Sequence, residues 1–177
     1  PNPKIQEAMT NLWESVVPDA SKAKDEYLKE IFQELIPGVG SRLWRVREAS
    51  CLGLADLLTG KRFEQVESHL VELYRMSLRA IDDVKETVRK AGEIFNRTVS
   101  GLVIRLADPS QSGDKVAETT LGLVLPFLME EGIASAAAEV RVASITQLVK
   151  ITKHAGPSLR PYIPDLSIVL LESLSSL

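Results

Sequence analysis

Cysteine, histidine and aromatic residues are scarce in this chain, and each shortage removes a class of function. The single Cys51 has no partner for an internal disulfide, and no charged segment leading into an apolar stretch and cleavage site opens the sequence. A reducing, intracellular compartment is the expectation. His69 and His154 stand 154 − 69 = 85 residues apart, so no spacing fits a metal site. No apolar run approaches the roughly 18 residues of a membrane-spanning helix, and Ile133 to Ala138 is typical of the short ones present. Direct membrane insertion is not expected. Lys and Arg total 21 against 24 Asp and Glu, a net charge of −3, which lacks the basic excess that a nucleic-acid backbone demands. No grouping supplies nucleophile, base and oxyanion donor together, so the chain reads as no enzyme and as needing no cofactor.

Aliphatic residues, by contrast, are plentiful and fall at helical intervals. Leu28, Ile31, Phe32, Leu35 and Ile36 form one such series, and Val84, Val88, Ala91, Ile94, Phe95, Val99, Leu102 and Leu106 another. No segment alternates as a strand. Breaks at Pro18-Asp19, Pro37 to Gly40, Thr59-Gly60, Ile81-Asp82, Asp108 to Gly113, Gly132 and Gly156-Pro157 predict helices near 3–17, 21–37, 42–59, 63–80, 82–107, 114–131 and 137–155, with an eighth from 157 onward. Short connections make neighbours antiparallel. Residues 1–177 thus read as one segment of helical hairpins near 21–59, 63–107 and 114–155, with partial repeats at both ends.

Internal similarity decides the class. Val46-Arg47-Glu48-Ala49, Val88-Arg89-Lys90-Ala91 and Val140-Arg141-Val142-Ala143 each open the second helix of a hairpin, at spacings of 88 − 46 = 42 and 140 − 88 = 52. The first spacing lies within the roughly 40–47 residues of a HEAT or armadillo repeat. The second exceeds it, and the polar stretch 108–114 after a long helix reads as a surface insertion. Val and Ala share a face, and the small Ala is expected to let the paired helix approach closely, while the Arg points elsewhere. The fold class is all-α, a HEAT/armadillo-like superhelical solenoid. The opening Pro1-Asn2-Pro3 and the closing Leu170 to Leu177 read as cuts through continuing structure. Exposed repeat ends forfeit roughly 1.5–3 kcal/mol per uncovered Leu or Ile. The isolated chain is therefore expected to be marginal or self-associating, and sedimentation of a stable, monodisperse monomer would contradict this.

Individual polar residues mostly have plain structural readings. Cys51 shares a face with Ala55 and Leu58, His69 borders the stripe of Val66, Leu70 and Leu73, and His154 sits in a last helical turn, where the dipole favours a cation. Gly53 and Gly60-Lys61-Arg62 do not match a phosphate loop, because the glycine spacing is wrong and Arg62 stands where Ser or Thr is needed. Asn96-Arg97-Thr98 matches a glycosylation acceptor but lies inside a helix. Asp82-Asp83 and Glu130-Glu131 read as a cap and a solvated face. The candidate protein-interaction surface is Trp44 and Arg45, residue types enriched at binding hot spots, together with Lys85, Arg89, Lys90 and Arg97. The competing reading packs Trp44 under the preceding turn and uses Arg47, Arg89 and Arg141 to bridge carboxylates of neighbouring repeats.

Longer phrases carry a family resemblance. The run Trp44-Arg45-Val46-Arg47-Glu48-Ala49-Ser50-Cys51-Leu52-Gly53-Leu54-Ala55-Asp56-Leu57-Leu58 is similar to a stretch of the proteasome adaptor and scaffold family, giant HEAT solenoids. Asp82 to Ala91, and Glu139-Val140-Arg141 through Leu148-Val149-Lys150-Ile151, resemble the C-terminal portion of that family in the same order. The resemblance implies a non-catalytic adaptor in cytoplasm and nucleus whose parent contacts the proteasome core and regulatory particles and influences their association and quality control. The alternative is a HEAT scaffold of another class, a nuclear transport receptor or phosphatase scaffold. Karyopherin-like repeats would bring acidic inner helices, whereas 82–107 carries more Lys and Arg than Asp and Glu.

Overall fold

The structure, a computed structural model, describes residues 3–17 and 19–175. The expected break at Pro18, and the terminal residues Pro1, Asn2, Ser176 and Leu177 that entered the reading of cut ends, lie outside them. Among the described residues every regular element is helical and no strand occurs. The all-α class holds. The chain divides into two compact units, residues 1–34 and 35–177.

The first unit holds α1 (Pro3–Val16), α2 (Ala20–Glu26) and the start of α3 (Leu28–Gly38). Ile5, Met9, Leu12, Trp13 and Val16 recur at helical intervals along α1, and all are exposed. Asp19 starts α2 by accepting the Lys22 N–H at 2.9 Å. The single helix expected over 21–37 is divided at Tyr27, whose φ of −102° and ψ of 21° leave helical geometry. Hydrogen bonds still cross it, the Tyr27 N–H donating to the Ala23 carbonyl and the Tyr27 carbonyl accepting from the Ile31 N–H. The division is a kink that no Gly or Pro announces.

The second unit continues through α4 (Trp44–Leu58), α5 (Phe63–Val66), a 3-10 turn at Glu67–His69, α6 (Leu70–Ile81) and α7 (Glu86–Ala107). Then follow α8 (Pro109–Ser112), α9 (Asp114–Phe127), a π turn at Leu128–Ile133, α10 (Ala138–His154), a 3-10 stretch at Gly156–Tyr162 and α11 (Ile163–Ser175). Three expectations need correction. The helix placed at 63–80 is interrupted at 67–69. The helix placed at 82–107 begins only at Glu86, because Asp83 accepts the Lys85 N–H at 2.8 Å and holds 82–85 as a turn. The polar stretch 108–114 is not a bare loop, since Asp108 accepts the Ser110 N–H at 2.9 Å and caps the short α8.

Helix α7 lies at the centre, packed against α4, α6, α9 and α10. Its buried stripe of Val88, Ala91, Phe95, Val99, Leu102 and Leu106 follows from the 3.6-residue period. The three hairpins cross at equivalent points twelve residues apart: Gly38 against Ser50, Ala80 against Gly92, and Gly132 against Ser144. These pairs repeat at the same 42- and 52-residue spacings as the Val-Arg-x-Ala phrase. The residue after that Ala, not the Ala itself, makes the close approach. Ser50, Gly92 and Ser144 are all buried, whereas Ala49 is exposed. Gly132 itself lies inside the π turn, which ends one residue later at Ile133, beside the expected break.

The ten-residue excess of the second repeat is now placed. Seven residues lengthen α7 relative to α4, two lengthen the connection that follows (108–113 against 59–62), and one is the residue added by the π turn. Pro126 sits just upstream in α9 and lacks the N–H that would bond the Gly122 carbonyl. The wider π turn then absorbs one residue and still delivers Gly132 to Ser144. Most of the excess is helix, so the reading as a surface loop is corrected.

Candidate interaction surface

Three turns of the same design begin α4, α7 and α10. Ser41, Asp83 and Ser135 each accept, through the side chain, the N–H two residues on, at 3.2, 2.8 and 3.2 Å. Their carbonyls then accept the guanidinium of the Arg six residues on: Arg47 at 2.9 Å, Arg89 at 2.8 Å and Arg141 at 2.8 Å. The repeated Arg therefore ties each turn to its own helix. A signal for this existed in the sequence, a short polar residue six before each Arg; Asp83 reads there as part of a cap, while Ser41 and Ser135 went unremarked.

Only Arg47 also reaches a neighbouring repeat. Its Nε and Nη2 donate to both carboxylate oxygens of Asp83, at 2.6 and 2.9 Å, and both side chains are only 13% exposed. The expected ladder of Arg-carboxylate bridges stops there. The position equivalent to Asp83 in the next repeat is Ser135, which offers Arg89 no carboxylate, and Arg141 donates to the Ser135 and Ala136 carbonyls. A second tie is Arg75 to Glu131, bidentate at 2.6 and 2.8 Å, with the guanidinium 5.4 Å over the Phe127 ring. This pair is half-exposed, so solvent screens it.

Arg47 holds the Asp83 carboxyl below the usual carboxylate range by hydrogen bond and charge, and the Lys85 N–H adds to this. Because that pKa is lower in the folded than in the unfolded chain, the stabilisation is present above about pH 4 and lost as pH falls through the folded value. Asp83→Asn is expected to lower the melting temperature at pH 7 and to flatten its fall below pH 4. Thermal melts across pH 2–7 measure both.

The candidate surface residues separate into groups. Trp44, Arg45 and Lys85 come together: the Arg45 guanidinium stands 4.5 Å from the Trp44 ring centre and the Lys85 ammonium 5.2 Å. Exposed Leu43 and Val84, the latter 93% accessible, flank this cluster. Arg89 is turned to the Asp83 carbonyl, and Lys90 pairs with Glu86 at 2.8 Å one turn back on α7. Arg97 lies elsewhere, on a groove between α7 and α10.

Other singled-out residues are structural. Cys51 is fully buried, and burial pushes its thiol up to about 12. It is expected to react with a thiol reagent such as DTNB only at the rate of unfolding, and rapid labelling of the folded chain would contradict its placement. Gly60, at φ 74°, makes the left-handed turn after α4, and the Asn96 side chain accepts from the Ser77 hydroxyl at 3.1 Å. His154 Nδ1 stands 3.8 Å from Asp108. Among the described residues, no three His, Cys, Asp or Glu converge as metal ligands, and no helix is long and apolar enough to cross a membrane.

Neither the helices nor the turns choose among the many proteins built from such repeats. The comparison with known proteins does. Over its full length the chain is 44% identical to the human proteasome adapter and scaffold protein ECM29, covering 9% of that protein. The chain is homologous to a segment of ECM29. Over 98% of the chain it is 29% identical to the proteasome component ECM29 of Saccharomyces cerevisiae, again covering 9% of the relative. It is also 29% identical, over its whole length, to the proteasome-associated ECM29 homolog of Drosophila melanogaster, covering 10%. The chain thus spans about a tenth of the ECM29 relatives it matches. No family model matches the chain.

Proposed function

We propose that this chain is a non-catalytic scaffold segment of a proteasome-associated HEAT protein, acting in cytoplasm and nucleus. The observation that carries the reading is the end-to-end match to ECM29 proteins, named a proteasome adapter and scaffold protein in human and a proteasome component in Saccharomyces cerevisiae. The architecture supports it: three hairpins of one design carry the same Arg-tied turn, and α4, α6, α9 and α10 pack on α7. The parent would bridge core and regulatory particles, with this segment in its C-terminal portion. Trp44, Arg45 and Lys85 are the surface proposed for protein contact, since an aromatic ring under two cations and beside exposed Leu43 and Val84 suits an acidic, partly apolar partner.

The test is affinity capture from cell lysate with the protein that carries this segment, intact and lacking residues 42–155, with proteasome subunits counted by mass spectrometry. Loss of core and regulatory subunits on deletion supports the reading. Capture of no proteasome by either form overturns it. A further form with Trp44→Ala and Lys85→Glu is expected to reduce capture, and unchanged subunit yield would remove that surface from the proposal.

A further inference from the structure

We infer that the groove between α7 and α10 receives an amphipathic helix of a partner, lying antiparallel to both, with an acidic first turn and a basic last turn. The groove encloses about 700 Å³ and lies apart from the Trp44 cluster. The turns before α4, α7 and α10 border one shared depression through Ser41, Asp83 and Ser135, so the three helices start on one edge and run the same way. Helices α7 and α10 meet where Gln147 Nε2 donates to the Ser100 carbonyl at 3.1 Å, and the groove opens beside that contact.

Its size and lining select a helix. From Glu139 to Lys150 the α10 wall spans twelve residues, eleven rises of about 1.5 Å, which is about 16 Å or three helical turns. Small Gly101 and Ala143 make the floor, where a methyl on Gly101 would meet nothing within 4 Å, and Ile104 and Val142 supply aliphatic wall. Val142 is 64% exposed although it stands within the repeated phrase. An extended peptide would need many main-chain partners along the groove, whereas two of its polar side-chain atoms are already engaged, Asn96 Oδ1 by the Ser77 hydroxyl and Gln147 Nε2 by the Ser100 carbonyl. A helix satisfies its own main chain and needs only apolar cover.

Charge sets the direction. Glu139 stands in the first turn of α10 and Glu93 two turns into α7, Arg97 lies one turn beyond Glu93, and Lys150 lies toward the far end of α10. Among the described residues Glu139, Arg97 and Lys150 form no ion pair, so their charges face the groove unmatched. A helix favours acids in its first turn and bases in its last. Such a helix satisfies the rim when its N-terminus lies by Lys150 and its C-terminus by Glu93 and Glu139.

The inference goes beyond the proteasome reading and stands or falls without it, because its test contains no proteasome. Two fluorescein-labelled, end-blocked 16-residue peptides share leucines at i, i+3, i+4 and i+7; one has Glu in the first turn and Lys in the last, the other the reverse. In anisotropy titrations against the 177-residue chain, the first is expected to bind about tenfold more tightly. Val142→Glu, a change at an exposed site that leaves the circular dichroism spectrum unaltered, is expected to weaken both by about tenfold or more. Glu139→Lys combined with Lys150→Glu is expected to invert the preference. Equal binding of the two peptides, no binding of either up to about 100 μM, or no inversion overturns the inference. So does a bound peptide that stays non-helical, or a dimer in sedimentation that Val142→Glu dissolves, which would make a second copy the occupant.

Discussion

Phe95→Ala is expected to be the most damaging truncation in residues 35–177, lowering stability by about 3–5 kcal/mol. Phe95 is fully buried in α7, the helix packed against α4, α6, α9 and α10, so the cavity would open where the hairpins meet. Against a typical total of about 5–15 kcal/mol, a loss of that size leaves a small margin. In a stack held by nearest-neighbour contacts the damage should spread both ways. Hydrogen exchange is expected to quicken in α4 and α10 alike. Leu148→Ala, a buried truncation within α10, should cost about 2–5 kcal/mol and quicken exchange mainly from α9 onward. A Phe95→Ala midpoint in urea within error of the parent, or exchange changes confined to α7, would contradict α7 as the shared core.

The class was legible because helical packing is written in aliphatic periodicity, and the stripe of α7 reads directly as Val88, Ala91, Phe95, Val99 and Leu102. The repeat was legible through Val-Arg-x-Ala. Its meaning was not, because a phrase shows that positions are equivalent without showing what each one touches. Arg47 looked like a bridge to a carboxylate and is one, while Arg89 and Arg141 look identical in sequence and serve only their own turns. The difference lies at Asp83 and Ser135, 36 residues after Arg47 and six before Arg141. Long-range partners of that kind follow from stacking rather than from local pattern.

Element ends failed for a different reason. Tyr27 kinks the chain with no breaker, and Glu67–His69 tightens to a 3-10 turn inside an apolar pattern. No Gly or Pro marks either change, so local pattern alone does not place it. The surface candidates were chosen by residue type, which cannot distinguish a cation resting on Trp44 from one engaged with its own helix. Geometry assembles Arg45 and Lys85 on one ring, pairs Lys90 with Glu86, and leaves Arg97 to a different groove. That groove had no sequence signal, since it depends on how far apart α7 and α10 stand.

The hairpin crossings provide the sharpest test of the repeat itself. A methyl group on Gly92 would lie 2.6 Å from the Ala80 carbonyl carbon, 2.7 Å from its oxygen and 2.8 Å from its Cβ. Two of these are main-chain atoms, so no side chain can rotate away and α6 must move off α7. Overpacking costs about 1–3 kcal/mol where neighbours can shift, and Gly92→Ala is expected near the top of that range despite the helix propensity alanine adds. Gly101→Ala, nine residues on in the same helix, meets nothing and should stabilise by about 0.5–1 kcal/mol. The two substitutions are chemically identical and share a helix, so propensity cancels and the difference between their urea midpoints reports the crossing alone. Ala80→Gly in the Gly92→Ala background removes the methyl of Ala80 but not the carbonyl, and is expected to recover only part of the loss. Full recovery would mean that side-chain bulk, rather than main-chain approach, sets the distance between paired helices, and the reading of the small residue after each Val-Arg-x-Ala as the crossing point would have to be given up.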